Sequence, residues 1–276
     1  MILSKIKKHF SLFYIRFKEK GTLKKMIAEH DECLNDIVSS FIQLKSGQHD
    51  AEDILVFNKC EEYRQSLLNN TTIISYDIFG LNKSMAVNEI CKQASSKTVW
   101  AQFLYLITKK NKSPHVLEIG TNLGISGSYI LEGLTHKNDS NFITMEGVPQ
   151  LCEISNNQFL KISQSKKYKI IQGLYQKTFP DLLKENIRFN IFFVDGNHKK
   201  DATIQYFNNL KSKLYLPAIF IFDDINWSYE MTQAWSIIRS DLDVSYSIDM
   251  FKMGIVVINK NKNQLKRKHY NLHLAY

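Results

Sequence analysis

The stretch VLEIGTNLGIS, Val116–Ser126, decides how this chain is read. An apolar run ends in Glu118, Ile119 and Gly120, and Gly124 then opens an amphipathic segment. Glycines at a strand-to-helix turn let the backbone come close to a ligand, and the first helical turn leaves N–H groups without partners. The two glycines stand four apart, so the GxGxxG spacing of dinucleotide folds is not met. A bound pyrophosphate is therefore the weaker reading. Taken alone, such a turn can also be purely structural.

Downstream, short apolar runs alternate with amphipathic stretches. Strands are predicted at His115–Ile119, Phe142–Met145, Lys169–Gln172, Asn190–Val194 and Ala218–Phe222. Between and after them, helices are predicted through Leu134 and over Pro149–Ile162, Leu174–Leu183, Ala202–Leu210 and Glu230–Ile238. Such alternation implies a parallel sheet with right-handed crossovers. Two closely joined strands, Val244–Asp249 and Gly254–Ile258, close the sheet and make one of its strands antiparallel. The fold class is α/β and Rossmann-like.

Upstream, residues 1–95 carry helical spacing: Ile6, Phe10, Phe13 and Phe17 recur between lysines, and Leu34, Ile37, Val38 and Phe41 repeat the pattern. Ser75–Ser84 reads as a loop and Trp100–Ile107 as an apolar helix. The expected organisation is a helical extension or lid over 1–95, a catalytic core over 96–262 and a basic tail over 263–276.

The net charge of +9 sits at the two ends. Residues 1–25 hold eight basic side chains against the single acid Glu19, and residues 260–276 hold Lys260, Lys262, Lys266, Arg267 and Lys268 with no acid. The middle is left slightly acidic. An enzyme acting on nucleic acid more often lines its cleft with basic residues, and lysine here outnumbers arginine 31 to 5, so nucleic acid is disfavoured as a partner. The basic amphipathic start can pack on the protein or lie on an anionic membrane surface. Four scattered cysteines form no CxxC pair and fit a reducing compartment. With no apolar run long enough to cross a bilayer and no signal-peptide pattern, a cytoplasmic chain is expected.

In open α/β sheets, ligands bind beyond the carboxyl ends of the strands. Five strand ends here deliver Gly120, Glu146, Gly173, the pair Asp195 and His198, and the pair Asp223 and Asp224. A carboxylate at the end of the second strand suits the two hydroxyls of an adenosine ribose, although Glu146 could equally be a turn acid. Gly173, after Gln172, could face an adenine edge. Three converging carboxylates, Asp195, Asp223 and Asp224, repel one another unless a cation neutralises them, which suggests an oxygen-ligand site of the magnesium type. His198 could take a proton from a substrate hydroxyl near neutral pH. The competing reading is that these aspartates cap helices and that His198 packs beside them.

These segments, in this order and spacing, resemble class I S-adenosylmethionine (SAM)-dependent methyltransferases. They are most similar to the DGxH subset related to catechol O-methyltransferase and to metal-dependent sugar O-methyltransferases. The ExGxxxGxS form at Glu118–Ser126, the VDGNH and FDDINW segments, and Ile248–Ile258 carry the likeness, over roughly 96–262. The resemblance implies a seven-stranded sheet flanked by helices. It also implies that Glu118, Gly120 and Ser126 border the methionine part of SAM and that Glu146 binds its ribose, with Thr121, Gly124, Gly173 and Asp195 also at the cofactor site. It places Mg²⁺ on Asp195, Asp223 and Asp224, and the general base at His198. One departure is Asp223-Asp224, where the catechol enzymes have Asp-Asn.

The expected reaction is methyl transfer to a hydroxyl oxygen of a small molecule or sugar, with the N-terminal helices and the loop near Asp77–Ser84 as a lid. Transfer to nitrogen or carboxylate without a metal, and a non-catalytic interaction module on the same fold, remain as alternatives.

Overall fold

A computed structural model describes residues 2–163, 167–259 and 267–275, with side chains from residue 12 onward. The side chains of Ile6 and Phe10, and Lys260, Lys262 and Lys266, lie outside the described residues. The N-terminal third comprises α1 (Ile2–Ile27), α2 (Glu32–Ser46), α3 (Ala51–Leu68), a small hairpin of β1 (Ile73–Ser75) and β2 (Ser84–Ala86), and α4 (Val87–Ala94). Next come α5 (Thr98–Lys110), β3 (His115–Ile119), α6 (Ile125–Gly133), β4 (Asn141–Glu146), α7 (Pro149–Ile162), β5 (Tyr168–Gln172) and α8 (Tyr175–Lys184). The chain continues through β6 (Phe189–Val194), α9 (Lys200–Leu210), β7 (Leu214–Phe222), α10 (Tyr229–Arg239), β8 (Tyr246–Asp249), β9 (Gly254–Ile258) and β10 (Lys268–Asn271).

The main sheet runs β10-β8-β9-β7-β6-β3-β4-β5. Its first seven strands in sequence are those expected, with β9 antiparallel to both β7 and β8. An eighth strand lies where a basic tail was expected: β10 pairs in parallel with β8. Its sequence, KHYN, is too polar and short to announce a strand.

Strand periodicity divides the core in two. Val116, Phe142, Ile191, Phe193, Ile219 and Ile221 point to one face, where they meet Leu34, Ile37, Val38 and Phe41 of α2 and Trp100, Phe103 and Ile107 of α5. Leu117, Ile143, Phe192, Val194, Phe220 and Phe222 point to the other, against Phe179, Tyr206, Phe207 and Trp235 of α8, α9 and α10. Apolar runs on both faces are what a sheet covered by helices on both sides requires. The helical extension is thus part of the core, since α2 covers one sheet face. Asp31 caps α2 by accepting from the Leu34 N–H, and Asp50 and Asp53 form a capping box on α3.

The hairpin β1–β2 was not legible, because each strand has three residues. It brings Ile74 beside Val87, Ile90 and Leu67, which pack on Leu123, Ile125, Val148 and Leu151 next to the Val116–Ser126 turn. Among the described residues, no helix is long and apolar enough to cross a membrane.

Candidate active site

Parallel register lines up the strand ends. Glu118 stands beside Thr144 of β4 and Phe193 of β6, Glu146 beside Gln172, and Val194 beside Phe222. The next residue of each strand is locked to its neighbour: the Asp195 N–H donates to Ile119 O at 2.9 Å, Asp223 to Val194 O at 3.0 Å, and Gly173 to Glu146 O at 2.8 Å. Gly120, Glu146, Gly173, Asp195 and Asp223 therefore share one rim, as the sequence suggested.

The Val116–Ser126 turn is tightly built. Gly120 adopts φ +109°, and a Cβ there would lie 2.5 Å from the Asp195 carbonyl oxygen. The close approach it permits is between β3 and β6. Gly124 (φ +74°) lets α6 pass against Ser155 of α7. Glu118 is fully buried and accepts hydrogen bonds from Ser126 Oγ and Thr144 Oγ1, both at 2.6 Å, while Thr121 Oγ1 lies 2.5 Å from Thr144 Oγ1. Burial pushes its pKa up to about 7 against the pull of the two hydroxyls. Glu118, Thr121 and Ser126 are thus joined beneath the turn through Thr144, a residue that only the β3–β4 register reveals.

Glu146 is also buried. Its two oxygens accept from the backbone N–H groups of Asn122 and Val148, each at 2.9 Å, and burial again raises its pKa. Asn122 adopts φ +49° and gives its amide N–H₂ to Ala94 O, which leaves Oδ1 buried without a partner. Beside this turn lies a cavity of about 300 Å³ lined by Phe79, Gly147, Tyr175, Gln176 and Asn197. Phe79 comes from the short helical turn Asp77–Phe79 and rests on Gly147, where a Cβ would meet its ring at 2.8 Å. Tyr175 Oη donates to Met145 O. The segment expected to act as a lid therefore contributes one wall. Sequence reading missed Asn122, Thr144, Tyr175 and Asn197; the positive φ values of Asn122 and Asn197 belong to residues that tolerate that region, so asparagine after a strand was the available signal.

The acidic end is different. Burial and the neighbouring Asp223 carboxylate hold the Asp195 carboxyl well above the usual range, and burial raises Asp223 too. His198 Nε2 lies 3.7 Å from Asp195 Oδ1, with the imidazole one-third exposed. Lys252, on the connection between β8 and β9, places Nζ 2.9 Å from Asp223 Oδ2 and 2.8 Å from Asp224 Oδ1. Burial pulls its pKa down, but the two carboxylates outweigh that and hold it above the ordinary value. Among the described residues, no three His, Cys, Asp or Glu side chains are arranged to hold a metal ion. The donor set does not fit the expected Mg²⁺, because an ammonium stands where two of its ligands would meet it.

Residues 117–225 match the family described as Methyltransferase domain. No curated protein matches the sequence. Among solved structures, the O-methyltransferase TomG from Streptomyces achromogenes, involved in tomaymycin synthesis and in complex with SAM, is 15% identical with a TM-score of 0.53, covering 77% of this chain and 91% of that one. The O-methyltransferase from Bacillus cereus in complex with S-adenosylhomocysteine (SAH) is 17% identical with a TM-score of 0.54, covering 71% and 91%. The SAH-bound methyltransferase PaMTH1 from Podospora anserina is 16% identical with a TM-score of 0.53, covering 73% and 95%. Residues 117–225 are thus similar to a methyltransferase domain, and the chain shares the fold of these SAM- and SAH-bound methyltransferases.

Proposed function

From a methyltransferase domain on that fold, we propose that this protein binds SAM at the β3–β4–β5 end of the rim and transfers its methyl group to a hydroxyl oxygen of a small molecule or sugar. The observation that carries the reading is the juxtaposition of a buried carboxylate, an unpartnered amide oxygen and an open cavity at aligned strand ends. The Glu146 carboxyl, already held by backbone N–H groups, keeps lone-pair capacity for a ribose hydroxyl. Asn122 Oδ1 is an acceptor for the methionine ammonium, and the aromatic rings of Phe79 and Tyr175 line space for the adenine. Gly120, Gly124 and Gly173 act by allowing the close packing that shapes this site.

When bound, SAM supplies a sulfonium methyl group and leaves as the neutral thioether. The chain positions the acceptor between that end and the acidic rim. His198 takes the hydroxyl proton as the new oxygen–carbon bond forms, and Asp195 beside it orients the imidazole. Burial of the turn excludes water, so positioning supplies much of the rate. The Mg²⁺ expected from the sequence is not carried into this reading, given Lys252 between Asp223 and Asp224.

A second, compatible reading concerns α1. Phe13 and Phe17 are 71% and 79% exposed on successive turns, beside Lys20 and Lys24. An exposed aromatic pair within a basic helix complements an anionic lipid surface, which would bring the enzyme to a membrane-associated acceptor.

Isothermal calorimetry with SAH tests the main reading, with NAD as control. Micromolar binding is expected, at least 100-fold weaker in Gly120→Arg and about tenfold weaker in Glu146→Ala. Absence of SAH binding by the folded wild-type protein would defeat it.

A further inference from the structure

The acidic rim already contains its own cation. Asp223 is 3% exposed, and both its oxygens are engaged: Oδ1 accepts the Asp224 N–H at 2.9 Å and Oδ2 accepts from Lys252. Asp224 Oδ1 takes a second N–H from the same ammonium. The lysine is not a loose surface side chain. Its carbonyl accepts the Ile225 N–H at 3.1 Å and its own N–H donates to Met250 O at 2.9 Å. The preceding Phe251, at φ +70°, donates its N–H to Asp249 Oδ1, and its carbonyl accepts from Asn226 Nδ2. Trp235 Nε1 holds the other Asp249 oxygen at 2.9 Å. These five hydrogen bonds fix the β8–β9 connection, two of them to Ile225 and Asn226 after β7, and aim Lys252 inward.

We propose that Lys252 is the resident cation of the acceptor subsite, set between Asp223 and Asp224 where a divalent ion would have to bind, so that this methyltransferase works without one. The inference rests on the methyltransferase reading above. An ammonium has three donors; two are met by Asp223 and Asp224, and the third can be given to an acceptor oxygen. The two aspartates then serve to position Lys252. A hydrated Mg²⁺ demands octahedral oxygen ligands at ~2.1 Å, which these two carboxylates cannot offer while they hold the ammonium. An ammonium stabilises developing oxyanion charge as a point charge on a flexible stem, and here the stem is packed.

The test follows Mn²⁺ uptake by the full chain from the free-ion electron paramagnetic resonance signal, with SAH calorimetry on the same samples. Wild type is expected to leave Mn²⁺ free at 100 µM. Lys252→Met is expected to bind Mn²⁺ at least tenfold more tightly, and Lys252→Arg to behave as wild type. Mn²⁺ uptake by wild type that disappears in Asp223→Asn would overturn the inference, and needs no folded Lys252→Met. Uptake by Lys252→Met no stronger than by wild type would also overturn it. Loss of SAH binding in wild type strikes the methyltransferase reading instead, whatever the Mn²⁺ result.

Discussion

Two acidic clusters share the rim, and they are held by opposite means. Glu118 and Glu146 are surrounded by neutral donors, hydroxyls in one case and backbone N–H groups in the other. Asp223 and Asp224 are held by a full positive charge. A carboxylate that has only dipoles for company can answer burial by keeping its proton, whereas one that faces an ammonium remains ionised while the ammonium stays in place. The end proposed for the cofactor is thereby a site for hydrogen bonding, and the end proposed for the acceptor a site of fixed charge. The two meet where Gly120 passes the Asp195 carbonyl.

The comparison breaks most sharply at Lys252. Lys252→Met strips a buried pair of its cation, and such truncations cost about 4 kcal/mol. The loss should be greatest at alkaline pH and shrink in acid, as the buried Asp223 takes up its proton in the absence of Lys252. Denaturant melts at pH 5 and pH 8 would show it; equal losses at both would mean that the ammonium does not neutralise these acids. The next effect belongs to Glu118. Its folded pKa, about 7, lies above the ordinary 4.5, so its contribution is full below pH 4.5 and is lost as pH rises through about 7. The wild type should give up about 3 kcal/mol across that window, at ~1.4 kcal/mol per unit. Glu118→Gln should flatten that dependence and be the more stable protein at pH 8. A pH profile of Tm unchanged by the substitution would mean that burial does not hold the proton on Glu118, and would erase the contrast. The smallest effect on stability is expected away from both clusters: the double variant Phe13→Ser, Phe17→Ser should stay within ~0.5 kcal/mol of wild type. It should nonetheless lose about tenfold in sedimentation with phosphatidylserine vesicles, and undiminished binding would remove α1 as the membrane contact.

The sequence revealed the regular part of this molecule and not the long-range ties. All seven strands expected from alternating texture are present, because buried β runs and amphipathic helices differ in period. The rim residues were legible for a related reason: the residue after each apolar run falls at a strand's carboxyl end. Lys252 lies within Ile248–Ile258, and nothing local in DMFKMG says that its side chain meets aspartates 28 and 29 residues away. Thr144 is similar: it lies within an apolar strand and gains its meaning only from pairing with Glu118 across the sheet. Phe79 belongs to a stretch without periodicity, and only tertiary packing on Gly147 brings it to the cavity.

The strand β10 has a consequence for how the protein is made. Leu272, His273 and Leu274, which follow it, are buried, and Leu272 and Leu274 belong to the same core as α2. Arg16 Nε in α1 donates to His273 Nδ1, Lys45 in α2 donates to the His273 carbonyl, and Tyr270 Oη reaches Glu29. During vectorial synthesis, α1 and α2 leave the ribosome before β10 and must therefore wait for residues 228 to 257 positions later before their contacts are complete. Contacts of such long sequence separation slow folding and leave apolar faces uncovered in the meantime. A nascent chain halted before residue 268 would thus expose part of the α1–α2 surface even with all of residues 117–225 already synthesised.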